Sequence, residues 1–270
     1  MRTFLRLLNS RSSRLRHQRQ RRGLTLAELL VATTVLALIA AAMGTVSLAV
    51  HTSSTYCMGQ STTLQHARVA VDRIEQHIRS SQHSESFPCS IVISQTVSSS
   101  SFPDALAIWK PLTTAQAPTG LPRVSEMIFI APDPAEPSHL YEWRLATSSA
   151  TVPSYGSTSS WRTLLSTVRS HSDTEKVLLT DRLFTAMASS TTRLGSIRFY
   201  VAHAPSRNEL TNYRNGITSW RALQWPLDLY GTEMGLQLTR VNFELQLDPG
   251  DGSEVIPFFG AAARKGAVYR

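Results

Sequence analysis

Between Arg22 and Val50 the chain holds a single carboxylate, Glu28, set at the near edge of the uncharged run Leu29–Val50. A carboxylate beside apolar surroundings is costly unless something pairs with it, so Glu28 reads as an ion that needs a partner. It sits in Arg21-Arg22-Gly23-Leu24-Thr25-Leu26-Ala27-Glu28, where basic and apolar character meet at Gly23. Elsewhere the residues that do chemistry lack the spacing that chemistry needs. The sequence has no G-x-S-x-G, P-loop, HExxH or C-x-x-C, and no Ser/His/Asp set emerges from spacing. Asp248, Asp251 and Glu254 place three carboxylates in a Gly-rich loop. They make a weak calcium candidate that departs from the EF-hand pattern, and a hairpin turn is the better reading. His66 and His77 lie eleven residues apart with no Cys or carboxylate to complete a metal set. The expectation is no catalytic residue, no enzyme activity and no cofactor.

The element that must position Glu28 is the apolar run. Its 22 residues make about 33 Å of helix, enough for a hydrocarbon core of about 30 Å. Residues 1–23 carry eight arginines and no acid, and no Lys or Arg follows the span until Arg68. That asymmetry puts the N-terminus in the cytoplasm and the C-terminal body across the membrane. Residues 1–23 read as a basic leader, 24–52 as a transmembrane half-helix and 53–270 as a periplasmic domain. A secretory signal peptide has a shorter apolar core, and this run continues past Ala40-Ala41-Ala42. A twin-arginine signal matches Arg21-Arg22 only loosely and has a weaker hydrophobic stretch.

Gly23-Leu-Thr-Leu-Ala-Glu28-Leu-Leu-Val-Ala32 resembles the class III signal of type IV prepilins and type II secretion pseudopilins. Their usual form is Gly followed by Phe-Thr-Leu-Ile-Glu-Leu-Leu-Val-Ala. Leu24 and Ala27 depart from that form and both stay apolar. The resemblance implies cleavage by a prepilin peptidase between Gly23 and Leu24, N-methylation of the new Leu24 amine, and an assembly contact by Glu28 with the amine of a neighbouring subunit. Gly23 suits such a cut, because it has no side chain to hinder extended backbone in a protease site. It further implies other pilin or pseudopilin subunits, an inner-membrane assembly platform and membrane lipid as partners. The implied place is the bacterial inner membrane, with extraction into a periplasmic filament. The segment Gln65–Ser80 looks like the helix of pseudopilin J and of minor pilin W. The implied role is a minor pseudopilin that helps to initiate or tip the fibre and export folded proteins. A minor pilin of a type IV pilus or competence system is the alternative within the class. A signal-anchored periplasmic enzyme or binding domain is the rival outside it.

Beyond the span, Leu64, Ala67, Val71, Ile74 and Ile78 recur at helical spacing and predict an amphipathic continuation that ends near Ser80-Ser81-Gln82. Gly44 and Gly59 are its weak points. Strands are then expected at Ile91–Val97, Leu106–Trp109, Glu126–Ala131, Leu140–Leu145, Gly195–Ala202 and Leu236–Leu247, the last with a slip near Arg240. Ser98–Ser101, Pro132–Pro137 and Thr147–Ser160 read as loops, and Trp161–Val168 as a short helix. One long helix followed by short strands predicts an α+β, pilin-like fold, with the helix packed on antiparallel sheet.

The net charge of +8 invites a nucleic-acid reading. The leader's eight arginines account for all of it, leaving 19 basic and 19 acidic residues in the remainder. A nucleic-acid footprint would persist on the folded body, so no nucleic acid is expected. Cys57 and Cys89 read as free thiols. A helix to about Ser81 carries Cys57 about 35 Å from its end, and Gln82–Cys89 returns at most about 27 Å.

Overall fold

The computed structural model describes residues 24–84, 86–112, 115, 120–250, 252 and 254–270. The basic leader, including Gly23, and Asp251 lie outside these residues. The chain divides into two units, Met1–Ser53 and Ser54–Arg270. Helix α1, Leu26–Arg79, begins in the first and runs unbroken through both Gly44 and Gly59. Every described residue of the first unit is exposed, including Leu26, Leu36, Leu38 and Met43.

In the second unit α1 turns amphipathic, burying Thr63, Ala67, Ala70, Ile74, His77 and Ile78. This corrects the expected stripe. Leu64 is 50% exposed and Val71 only partly buried. The face that packs is defined by small residues at spacings of four and three, which a count of large aliphatics overlooks.

The strands build two antiparallel sheets and a hairpin. Strands β1 (Ser90–Val97), β2 (Ser100–Trp109), β3 (Met127–Pro132), β4 (Leu140–Arg144) and β5 (Glu175–Thr180) form a meander in that order. Strands β6 (Thr185–Met187) and β7 (Arg193–Gly195) pair with each other. The second sheet has the order β10-β9-β8, from β8 (Ile197–Ala204), β9 (Met234–Leu247) and β10 (Ile256–Tyr269). Helices α2 (Thr158–Ser170) and α3 (Arg207–Arg214) lie in the connections. A long helix packed on antiparallel sheets is the α+β, pilin-like fold expected from the sequence.

Alternation along the strands sorts the core into two layers. Leu106, Ile108, Ile128 and Ile130 join Ala67, Ala70, Ile74 and Ile78 of α1, with Phe199, Val241, Phe243 and Leu245 of the second sheet. Ala105, Ala107, Trp109, Met127, Phe129 and Trp143 point the other way and meet Trp161, Leu165 and Val168 of α2. Covered on both faces, β3 is buried at all six positions, which is why it reads as an unbroken apolar run. Trp220, Leu223, Trp225 and Val268 make a smaller third cluster.

Several expectations are corrected. Ser100 and Ser101 belong to β2, Pro132 ends β3, and α2 starts inside the expected loop Thr147–Ser160. There is no slip in β9, whose inward positions run Gln237, Thr239, Val241, Phe243, Leu245 and Leu247 in strict alternation. Gln237 and Thr239 are buried polar residues satisfied by hydrogen bonds, so a hydrophobic count misreads the register there. Strands β9 and β10 pair antiparallel from Leu247 and Ile256 onward, so the two are successive arms of a hairpin.

Candidate functional site

Thr25 precedes the first residue of α1, and Glu28 is the third residue of the helix. The Glu28 carboxylate Oε2 accepts from the Thr25 backbone N–H at 2.9 Å and from the Thr25 hydroxyl at 3.0 Å. In return the Glu28 backbone N–H donates to Thr25 Oγ1 at 3.3 Å. This is a reciprocal capping box, and it satisfies two backbone donors that a helix start otherwise leaves orphaned. The signal was present in the sequence as Thr25-Leu-Ala-Glu28, which the apolar pattern around it masks. The same Ser/Thr-x-x-Glu geometry opens α3, where Ser206 and Glu209 cap each other.

Leu24 is 71% exposed beside this cap. Along the apolar helix the hydroxyls of Thr33, Thr34, Thr45 and Thr52 all donate to carbonyls three or four residues back, at 2.8–3.0 Å. These threonine hydroxyls are thus satisfied within the helix itself, which is the condition for residence in hydrocarbon. Leu24, Thr25 and Glu28 therefore lie together at one helix start; Gly23 lies outside the described residues.

A second constellation lies where the later part of α1 meets β4. Glu142 is 7% exposed. Its Oε2 accepts from Arg73 Nε at 3.0 Å and faces His77 Nε2 at 2.8 Å. His77 Nδ1 lies 2.9 Å from Lys110 Nζ. An ammonium has donors only, so Nδ1 accepts from Lys110 and the ring proton sits on Nε2, donating to Glu142. Burial alone would raise Glu142. The hydrogen bonds from His77 and Arg73, with the Arg73 charge, outweigh it and hold the carboxyl at about 2. Burial, with the nearby Arg73 charge, pulls Lys110 down, opposed by Glu142. This array fastens α1 to the sheet. Its only trace in the sequence is the i,i+4 spacing of Arg73 and His77.

The loop carboxylates are less organised. Asp248 Oδ1 accepts the Gly250 N–H at 2.8 Å, and Arg182 donates to the Pro249 carbonyl beside it at 2.6 Å. Glu254 is exposed, and Asp251 lies outside the described residues. Among the described residues no group of three or more His, Cys, Asp or Glu is placed to hold a metal ion. Cys57 is exposed and Cys89 buried, both free.

Residues 18–44 match the prokaryotic N-terminal methylation motif. No curated protein and no solved structure matches the chain.

Proposed function

We propose, from the premise of a membrane-anchored chain that carries the class III signal of type IV pilin-like proteins, that this protein is a minor pseudopilin of a type II secretion system. The motif itself points to a structural subunit rather than an enzyme, to processing by a prepilin peptidase and to assembly with other pilin-like subunits. In the proposed reading the peptidase cuts between Gly23 and Leu24, the Leu24 amine is methylated, and Glu28 meets the amine of a neighbouring subunit. Residues 53–270 form the periplasmic domain, and the subunit acts at or near the tip of a short fibre.

The observation that carries this reading is the capped start of α1. A lone carboxylate is held at the head of α1, whose apolar first part is exposed, three residues from the Thr25 that caps it. Once a chain begins at Leu24, that cap brings its charge close to a free amine. A cap alone would serve any helix; what favours a subunit is that this capping carboxylate stands at the edge of hydrocarbon inside the methylation motif.

N-terminal sequencing of the membrane-bound protein tests the cut: the expected first residue is a methylated Leu24, and any other end overturns the reading. Glu28→Ala separates subunit from anchor. A subunit is still cleaved but enters filaments poorly, whereas an anchor works unchanged.

A further inference from the structure

Strand β2 is bulged within its pairing with β1, which continues on both sides. Ile93 pairs with Ala105 and Gln95 with Phe102, so Ser94 stands opposite two residues, Pro103 and Asp104. A bulge re-aims a side chain, and Pro103, which has no N–H to give a ladder, is tolerated at such a place. The residue re-aimed is Asp104, only 6% exposed. It lines a cavity of about 250 Å³ between the two sheets, beneath the β6–β7 hairpin. The hairpin seats closely there, since a Cβ on Gly195 would come within 2.4 Å of Leu183 and of the Pro137 carbonyl.

The lining sorts by chemistry. Phe102, Leu194 and Ile197 supply apolar wall, with Met187 at the hairpin. Glu244 adds a second carboxylate from β9, and Arg198, its register partner on β8, adds one positive charge. Asp104 accepts from its own and the Gln95 backbone N–H groups. Among the described residues no cation lies within ion-pair distance of it. Arg169 of α2 exerts an attraction from outside the cavity, but spends a guanidinium N–H on the Pro132 carbonyl. Within the lining itself two carboxylates stand against one arginine, Glu244 Oε1 also accepting from Gln246 Nε2 at 2.9 Å, while Arg169 balances Asp104 from outside.

We propose that this cavity binds an alkylammonium or guanidinium group, with Asp104 and Glu244 receiving the charge and Phe102, Leu194 and Ile197 the hydrocarbon stem. The volume suits one lysine- or arginine-sized group and is below that of drug-sized sites. Such a group arrives either as a small free amine or as a basic side chain of a partner protein. The proposal is independent of how residues 24–28 are processed.

The test uses the full chain in detergent micelles, labelled with ¹³C-methyl methionine and assigned through Met187→Leu. Butylammonium, blocked lysine and blocked arginine should each shift the Met187 methyl signal saturably, while blocked norleucine, the uncharged counterpart, should not. Butylammonium binding as tightly as the blocked amino acids assigns a free amine. Tighter binding of blocked lysine or arginine assigns a partner's side chain. Asp104→Asn should weaken binding at least about tenfold, as expected for loss of a charge-assisted bond. Asp104 is pushed up to about 6, chiefly by burial. With Arg169, Arg198 and Glu244 as the charges facing it, affinity should fall about tenfold from pH 7.5 to pH 5. Ala186→Phe, which fills the cavity from the hairpin and keeps Asp104, should abolish the shift and serves if the Asn variant fails to fold. Absence of a saturable shift, an equal response to norleucine, or unchanged titration of a folded Asp104→Asn or Ala186→Phe variant overturns the proposal.

Discussion

Glu142 and Asp104 are both buried carboxylates, and their surroundings push them in opposite directions. Glu142 lies at about 2 because His77 and Arg73 supply donors that outweigh burial. Its folded value is below the unfolded one, so its contribution to stability is present above about 4.5 and is lost as pH falls toward 2. Glu142→Gln should therefore destabilise the protein at pH 7 by roughly 2–3 kcal/mol, and by progressively less below pH 4. Denaturant melts across pH check this, and a penalty that does not shrink in acid refutes it. Asp104 is raised to about 6, so the folded state holds its proton more tightly than the unfolded chain. Its effect has the other sign: stability falls as pH rises between about 4 and 6. Asp104→Asn should accordingly stabilise the protein at pH 7 by about 2 kcal/mol, with the gain vanishing near pH 4. An ion kept where a neutral residue would be more stable fits a residue retained for binding.

At the scale of elements, the long helix, the first strands of the meander and the late strand β9 were legible because apolar side chains fall at helical or alternating spacing. What was hidden had a physical reason in each case. Strand β10 opens Ile-Pro-Phe-Phe and continues Gly-Ala-Ala-Ala, a poor strand former that is made a strand by pairing with β9 along its whole length. Helix α3 buries no residue fully and packs only through Leu210 and Tyr213, too few to read as an apolar stripe. The apolar signal at Glu28 was plain, but the partner it found, Thr25, was read only as part of a motif. Buried polar contacts such as His77 with Glu142 span 65 residues of sequence, and no local pattern announces them. Element α2 makes the sharpest stability test. Trp161 is 2% exposed, tilted against Phe87 with ring centroids 5.9 Å apart. It also donates its indole N–H to the Ser154 carbonyl at 3.1 Å. Trp161→Ala should cost about 3–5 kcal/mol, read as a lowered denaturation midpoint. A loss below about 1 kcal/mol would show that α2 is not a wall of the core.

For the molecule as a whole, the division at Ser53 separates chain built for two solvents. The first unit exposes apolar side chains, and the hydroxyls of Thr33, Thr34 and Thr45 bond back to its own helix. The second holds the three apolar clusters. Residues 54–270 expressed alone should therefore be soluble without detergent and unfold in one cooperative transition with fixed aromatic signals in near-ultraviolet circular dichroism. A fragment that binds hydrophobic dye and lacks those signals would mean that the core depends on the apolar helix.

The stripe Ala67, Ala70, Ile74 and Ile78 is sealed in part by Val241, Phe243, Leu245 and Ala262. Those partners are synthesised long after the helix that needs them; Leu106, Ile108, Ile128 and Ile130 of the meander come sooner, but the rest of the stripe stays bare until β9 and β10 emerge. Loop closure over so many residues is slow, and the exposed interval is when such a chain is most prone to aggregate. The same architecture that gives the helix a stable seat in the finished protein thus gives the nascent chain a period of risk. Its length is set by the distance in sequence between Ile74 and β9.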